Sequence, residues 1–212
     1  MTSVPVCPIF GRGPKITSTS AVTSRVSSPT SSPTGGLYDS ASGTTPQQPL
    51  VLVTVGGSGV GHALLSKVIE AFPRVSKEID GLRMVAVAGP RIDPSSLPAF
   101  EGVDLRGYVP DLHLHLAASD AAIVQGGLTT TMELVANRRP FLYFPLGEHF
   151  EQQRHVRYRL ERHKAGRCMD FADSDPESIA AALVEQMAST SDYLPVASDG
   201  AARASGLISE LL

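Results

Sequence analysis

The sequence predicts an α/β fold: a Rossmann-like open parallel sheet with helices on both faces over residues 50–212, preceded by a disordered segment, residues 1–49. Two observations predict this fold. From residue 50 onward, short β-branched runs alternate with helix-like segments, which is the pattern of a parallel sheet covered by helices. The β-branched runs are also almost continuously apolar, as strands buried on both faces are.

Five segments have the composition of buried strands, and six have that of helices. The predicted strands are Leu50–Val55, Leu82–Ala88, Val103–Val109, Asp120–Val124 and Phe141–Phe144. The predicted helices are about His62–Phe72, Asp111–Ala118, Leu128–Asn137, Glu151–His163, Pro176–Ala188 and Ala201–Leu211. One α/β domain accounts for all of these segments.

The first 49 residues differ in composition from the rest. Serine, threonine, proline and glycine dominate them, and the first acidic residue is Asp39. Such a segment cannot bury enough apolar surface to offset the entropy cost of ordering, so we interpret it as a disordered linker or the remnant of a missing upstream domain. Arg12, Lys15 and Arg25 among hydroxyl residues also resemble an organelle transit peptide, which is the less favoured alternative.

Composition disfavours several functional classes. A formal net charge of -3 over 212 residues gives no reason to expect a nucleic-acid partner. Cys7 and Cys168 lack the spacing of a metal or redox motif, so we expect no disulfide framework and a reducing, cytoplasmic location. No apolar run approaches the roughly 20 residues that a transmembrane helix needs. Any membrane association would therefore be peripheral.

The segment from Arg154 to Lys164 is basic and is predicted to form a helix, with Val156 and Leu160 on its buried stripe. The default interpretation of such a helix is a solvated polar face. Attraction of its cations to anionic lipid is the alternative, and this would be the peripheral membrane contact.

The first predicted strand leads into a glycine-rich loop, Gly56-Gly57-Ser58-Gly59-Val60-Gly61, and a helix begins at His62. Glycines let an anion approach the backbone, and a helix N-terminus attracts it, so this loop is a candidate phosphate site. A P-loop is excluded, because lysine and a hydroxyl residue do not follow the loop. A dinucleotide site is disfavoured, because it needs glycine at position 62 and an acid where Ala88-Gly89-Pro90-Arg91 stands. A tight turn without a ligand stays open as an alternative.

The segment from Gln125 to Glu133 forms a second glycine turn between a predicted strand and a predicted helix. It carries three threonines at the start of the helix, where the first N–H groups have no intrahelical partner. Glu133 lies a turn further on, and its two oxygens can accept hydrogen bonds from the vicinal hydroxyls of a ribose. Both turns follow strands, at the edge where open α/β sheets bind ligands, so we expect a nucleotide site there.

With the pair Gln152-Gln153 some twenty residues further on, the region from Gly107 resembles the C-terminal, donor-binding domain of the GT-B glycosyltransferases. Within that class it is most similar to the MurG-like family, which carries the glycosyltransferase family 28 C-terminal domain. The likeness covers about residue 50 to the C-terminus. It implies one half of a GT-B fold, and a donor site for a nucleotide sugar.

The resemblance implies a role for each matching position. Glu133 binds the nucleotide ribose, and Gln152 and Gln153 grip the donor sugar. Thr130 and the first glycine loop lie near the diphosphate, and backbone groups beside Tyr108-Val109 hold the base. The expected donor-binding residues are Gly56, Gly57, Ser58, Gly59, Val109, Gly127, Thr129, Thr130, Glu133, Gln152 and Gln153.

Two positions depart from the plant-type motif of this class, because Gln125 replaces a histidine and Leu128 replaces a tryptophan. Contacts specific to the plant enzymes are therefore not carried over. Helix N-termini and hydroxyls can stabilise a leaving diphosphate without a metal. We therefore expect no metal site and no cofactor beyond the UDP-sugar donor.

These inferences predict the donor-binding half of an inverting, metal-independent glycosyltransferase that transfers a hexosyl or N-acetylhexosaminyl group to an unknown acceptor. GT-B enzymes usually take the acceptor and the catalytic base from an N-terminal domain, so we expect an acceptor-binding domain or subunit as a partner. No catalytic residue is assigned, and His62 is an alternative base or phosphate partner, or simply a solvent-facing helix start. The functional alternatives are a non-catalytic nucleotide-sugar-binding fragment and an NDP-sugar epimerase-like protein.

Overall fold

The computed structural model describes residues 48–57, 59–197 and 199–211 of the chain. The predicted disordered segment, up to residue 47, therefore lies outside the described residues, and so does the expected donor-binding residue Ser58. Every element below belongs to the compact unit of residues 33–212.

A parallel sheet forms the centre of this unit. Its strands are β1 (Leu50–Thr54), β2 (Arg83–Val87), β3 (Val103–Arg106), β4 (Ala121–Val124), β5 (Phe141–Tyr143) and β6 (Arg167–Cys168). They lie in the order β3-β2-β1-β4-β5-β6, and every neighbouring pair is parallel. The central strands β1 and β4 are buried at every position, as their unbroken apolar runs predict. The predicted open parallel α/β sheet is confirmed.

The two outer strands of this sheet differ from the prediction. β3 ends at Arg106 rather than at Val109, because its partner β2 ends at Val87, and the N–H of Ala88 makes the last bond to the Arg106 carbonyl at 2.8 Å. The sequence does not predict β6. An edge strand of only two residues is too short to produce an apolar run or an alternating pattern in the sequence.

The helices of the described residues pack around this sheet. They are α1 (His62–Glu78), α2 (Leu112–Ala118), α3 (Leu128–Ala136), α4 (Arg157–His163), α5 (Pro176–Ala188) and α6 (Gly200–Ser209). A 3-10 turn, Pro94–Ser96, follows β2, and a π-helical segment, Glu151–Val156, continues directly into α4. Over the residues that the structure covers, no helix combines the length and the apolarity that crossing a bilayer requires.

Helix α1 continues to Glu78, beyond Phe72 where the sequence predicts its end. Pro73 lies inside the helix and lacks the N–H for an intrahelical bond, a defect that costs about 3 kcal/mol. The helix continues because its buried stripe continues: Phe72 and Val75 both pack into the core. Tertiary packing therefore outweighs the local effect of the proline.

Two apolar cores cover the two faces of the sheet. On one face, α1 and α5 pack over Val51 and Val53 of β1. On the other face, α2, α3 and α4 pack over Leu50 and Leu52 of the same strand. Alternation along the strand thus divides one apolar run between both cores, and the predicted helices on both faces are confirmed.

The strand order reverses between β1 and β4, which are neighbours in the sheet although two strands separate them in the chain. The chain leaves β1 toward β2 on one side, and it leaves β4 toward β5 on the other. The connections therefore diverge and leave a crevice at the carboxyl edge, where open α/β sheets bind ligands. Both glycine turns of the sequence lie at this crevice.

Gly61 determines how closely the start of α1 approaches the end of β1. A Cβ atom at this position would overlap the buried side chain of Val55. We expect Gly61→Ala to lower the free energy of unfolding by about 1–3 kcal/mol, the usual cost of overpacking, as measured by urea denaturation. The double variant Gly61→Ala, Val55→Ala should lose less stability than the sum of the two single variants, since it removes the overlapping atoms. Purely additive losses would contradict the steric explanation.

Candidate functional site

A cavity of about 360 Å³ occupies the crevice between the carboxyl ends of β1 and β4, and we call it the switch-point cavity. Its walls come from the loops that follow β1, β4 and β5. The lining residues are Thr54, Val55, Gly56, Gly57, Val60, Val124, Gln125, Gly127, Thr130, Leu146, His149 and Gln152.

A larger groove, about 530 Å³, lies at the amino edge of the sheet around Gln48 and Asp120. The last turns of α1 and α5 border it, through Glu78 and Met187. Helix C-termini carry partial negative charge and repel anions. The switch-point cavity is therefore the candidate for a phosphate ligand, although it is the smaller of the two.

Helices α1 and α3 both begin beside the switch-point cavity without a side-chain cap. The first intrahelical donors are the N–H groups of Leu65, to the Gly61 carbonyl, and of Thr131, to the Gly127 carbonyl. The three N–H groups before each of these donors have no partner within their helix. Each N-terminus carries a partial positive charge of about half an elementary charge. The cavity thus brings together two unsatisfied helix ends that can bind a diphosphate.

The two glutamines after β5 hold the neighbouring loop in place. Gln152 Oε1 accepts a hydrogen bond from the Leu146 N–H at 2.9 Å. Gln153 Nε2 donates to the carbonyls of Leu146 at 3.2 Å and of Pro145 at 3.5 Å. Gln152 lines the cavity, and its Nε2 has no hydrogen-bond partner among the described residues, whereas Gln153 does not line it. Gln152 therefore lines the cavity, whereas Gln153 only stabilises the loop after β5.

The cavity brings together five of the expected donor-binding residues: Gly56, Gly57, Gly127, Thr130 and Gln152. Thr129 and Glu133 instead line a groove of about 320 Å³ on the next face of α3, and neither Gly59 nor Val109 lines the cavity. At about 100° per residue, Glu133 lies only about 60° around the helix from Thr130. A ligand that extends across α3 from the cavity would therefore reach both.

The end of β3 leads into the segment that was expected to hold the base. Val109 is buried, and its N–H and carbonyl make no backbone hydrogen bond within the described part of the chain. The side chain of Tyr108 beside it is 75% exposed. These free backbone groups suit recognition of a base edge, which stays a prediction.

Three of the lining residues that were not expected have polar side chains: Thr54, Gln125 and His149. Thr54 ends β1 and Gln125 follows β4, so the rule that ligands bind at carboxyl strand ends would have found both. His149 lies in the loop after β5, where no sequence pattern indicates its direction.

His62 begins α1 but does not line the cavity. Its Nε2 lies 3.1 Å from Ser96 Oγ, and the Ser96 hydroxyl donates to the Asp93 carbonyl at 2.6 Å. Because the hydroxyl proton is used in that bond, His62 Nε2 must be the donor to Ser96. His62 therefore links α1 to the 3-10 turn, and its role as a base or phosphate partner stays a prediction.

The sequence contains one Asp-x-Asp segment in the described region, Asp173-Ser174-Asp175, which lies at the start of α5 and does not line the cavity. Asp175 caps α5, since its Oδ1 accepts from the Ser178 N–H at 2.8 Å. The same hydrogen bond lowers the pKa of the Asp175 carboxyl. This segment is therefore a helix cap.

Comparison with known proteins identifies related sequences. Residues 50–211 match the family model of the glycosyltransferase family 28 C-terminal domain. An uncharacterized glycosyltransferase of Methanosarcina mazei is 32% identical over 151 residues, which is 70% of this chain and 38% of that protein. The chain spans 34–38% of the length of the curated relatives it matches.

Solved structures share the fold. MurG of Acinetobacter baumannii superimposes with a TM-score of 0.54 at 19% identity, covering 66% of this chain and 41% of MurG. The spinosyn rhamnosyltransferase SpnG complexed with thymidine diphosphate gives 0.53 at 22% identity, covering 67% of this chain and 38% of SpnG. The described residues thus correspond in fold to part of each of these chains.

The brace between Gln152 and the loop is testable by hydrogen exchange. Gln152→Ala removes the acceptor of the Leu146 N–H, so we expect the Leu146 amide to exchange about tenfold faster, as measured by NMR. Gln153→Ala is the matched control, because it leaves that hydrogen bond in place. Equal protection of Leu146 in the two variants would contradict the assignment.

His115 of α2 should make stability depend on pH. Burial lowers the pKa of its imidazole, the charge of Arg106 acts in the same direction, and a hydrogen bond to the Pro110 carbonyl partly opposes them. The unfolded chain therefore binds this proton at a higher pH than the folded chain, so stability falls as the pH drops below about 6.5. His115→Gln should flatten the slope of the free energy of unfolding against pH below about pH 6.5. A slope unchanged in urea titrations would refute this.

Proposed function

Because the chain belongs to glycosyltransferase family 28 through its C-terminal domain, we propose that it is the donor-binding half of an inverting, metal-independent glycosyltransferase that uses a UDP-sugar. Residues 50–212 form the nucleotide-sugar-binding domain in this proposal. The observation that carries it is the convergence of two uncapped helix N-termini, those of α1 and α3, on one cavity.

The diphosphate lies in the switch-point cavity between the two helix starts. Glycosyl transfer breaks the bond between the sugar and the diphosphate, so negative charge grows on the leaving UDP. The two helix starts and Thr130 lie beside the cavity before a ligand binds, and donors that are preorganised in this way stabilise a transition state without reorganising. They supply the stabilisation that a metal ion supplies in other transferases.

The nucleoside extends from the diphosphate across α3 toward Glu133 and Val109. The Glu133 carboxylate is an acceptor of two hydrogen bonds, which matches the 2′ and 3′ hydroxyls of a ribose. Deoxyribose offers only one of these hydroxyls. The site should therefore favour UDP over thymidine diphosphate, although SpnG, a neighbour in fold, was solved with thymidine diphosphate.

The transferred sugar, a hexosyl or N-acetylhexosaminyl group, lies against Gln152. Gln152 Nε2 is the free donor at this end of the cavity, because the Oε1 of the same side chain is held by the Leu146 N–H. Gln153 keeps the loop in position. In this proposal Gln152 contacts the sugar directly, and Gln153 acts only by holding the loop that positions Gln152.

The acceptor and the base that deprotonates it come from a partner domain or subunit. The matched relatives are more than twice as long as the region they share with this chain, so their additional residues have room for such a domain. The base takes the proton from the acceptor hydroxyl, the hydroxyl oxygen attacks the anomeric carbon from the face opposite UDP, and UDP leaves. Without the partner, the chain binds donor and does not transfer it.

A titration series tests the ribose assignment. Wild type should bind UDP more tightly than thymidine diphosphate, and Glu133→Ala should weaken UDP binding by about 1.5–3 kcal/mol and remove most of that preference. Glu148→Ala is the matched control, since Glu148 is an exposed carboxylate that does not line the cavity.

Isothermal titration calorimetry measures each affinity. Unaltered UDP binding by Glu133→Ala would show that the ribose lies elsewhere, and no UDP binding by wild type would refute the donor site. Sugar transfer by the isolated chain would overturn the assignment of the base to a partner. Binding without transfer in the presence of every candidate partner domain would favour the non-catalytic alternative.

A further inference from the structure

A second cavity, about 200 Å³, adjoins the switch-point cavity and shares Val60, Gln125 and Leu146 with it. We call it the apolar annex. Its walls are mainly the side chains of Val60, Leu64, Phe144 and Phe171. Among the described residues that line it, Gln125 alone has a polar side chain. A ligand bound in the switch-point cavity can therefore extend a substituent into the annex. That substituent would move from water into apolar surroundings.

Gln125 lies between the two cavities and is only 7% exposed. Its side-chain amide makes no hydrogen bond to any described residue. The amide atoms keep contact with solvent, since the fully buried unpaired polar atoms of the described residues lie elsewhere. A ligand that displaces this solvent must therefore offer hydrogen bonds in its place. The amide offers both a donor and an acceptor to whatever occupies the junction. This points to a ligand that brings its own polar atom to Gln125.

Phe171, which forms the outer wall of the annex, is held by Lys67 of α1. Lys67 Nζ donates to the carbonyls of Phe171 and Ser174, both at 2.7 Å, and lies 3.8 Å from the centroid of the Phe171 ring. The wall is therefore fixed by two hydrogen bonds and a cation–π contact before any ligand binds. A preformed wall reduces the entropy cost of binding.

We propose that the apolar annex binds a small apolar substituent of the transferred sugar, and that Gln125 hydrogen-bonds to a polar atom of the sugar beside that substituent. This inference rests on the proposed function, because the shared wall places the sugar of a nucleotide sugar beside the annex. It makes Gln125, Phe171 and the annex determinants of donor specificity.

The walls argue for a substituent rather than for a fully hydroxylated face of a sugar. Each hydroxyl that enters the annex loses water, and Gln125 alone can compensate only one or two hydrogen bonds. A methyl group has no such requirement, and an acyl group adds one carbonyl oxygen, an acceptor that the Gln125 side-chain N–H groups can match. Both gain from apolar contact with Leu64, Phe144 and Phe171. The annex should therefore reject an unsubstituted hexose relative to a deoxy or acylated one.

Two matched donors test the inference against UDP-glucose by isothermal titration: UDP-N-acetylglucosamine, which adds an acyl group, and UDP-6-deoxyglucose, which replaces a hydroxyl by hydrogen. At least one should bind wild type about fivefold or more tightly than UDP-glucose does. Ala63→Leu should abolish that preference, because Ala63 lines the annex from an exposed position of α1 and leucine would fill it. Ala202→Leu, on the exposed surface of α6, is the control.

Gln125→Met keeps the side-chain volume but removes the hydrogen bonds, so it should weaken the preferred donor more than it weakens UDP. UDP itself distinguishes the two levels of the proposal. If UDP does not bind wild type, the proposed function fails. If UDP binds but neither substituted donor is preferred, or Ala63→Leu leaves the preference unchanged, the annex inference is overturned and the donor site stands.

Discussion

The structure depends on one constraint: backbone N–H groups at the start of a helix cannot be satisfied within that helix. In a parallel sheet every strand delivers its chain to the same edge, and the reversal of order between β1 and β4 brings two helix starts together there. Neither start has a side-chain cap, in contrast to α5, which Asp175 and Ser178 cap reciprocally. Two sets of unsatisfied donors thus meet where the chain has left space for a ligand.

The shape of that space is set by contacts inside the protein. Gly126 has a φ of +82°, and a Cβ there would lie 3.4 Å from the Pro145 Cα and 3.7 Å from Gln152 Oε1. The turn after β4 is therefore packed directly on the loop after β5, and the glutamine pair fixes that loop from the other side. Because these contacts need no ligand, the cavity is formed before binding, which lowers the cost of ordering on association.

Much of this could be predicted from sequence, for physical reasons that differ between elements. The strands β1 and β4 are buried at every position because both faces are covered, and all of their residues except Thr54 are apolar, so the sequence predicted buried strands there. The edge strand β6 could not be predicted, since a strand of two residues shows no periodicity in the sequence. The continuation of α1 through Pro73 depends on packing against residues distant in sequence, which no local rule contains.

Within the candidate site, glycine turns at strand ends were predictable because they follow from where helices begin. The roles of individual side chains were harder to predict from the sequence. Gln152 and Gln153 are adjacent and chemically identical, yet only the first lines the cavity. Adjacent residues lie on different faces of a helix, and the placement of this π-helical segment against the loop after β5 decides which of the two faces the cavity.

The π-helical segment has a consequence for how this protein tolerates change in length. A π-helical turn holds one residue more than an α-helical turn does. Loss of one residue between Glu151 and Val156 would let the segment relax into a regular helix continuous with α4. Because the π-helical turn absorbs its extra residue locally, the residues on either side would keep their orientation. A difference of one residue in this stretch should therefore disturb the preceding loop less than a deletion in a regular helix, which rotates what precedes it by about 100°.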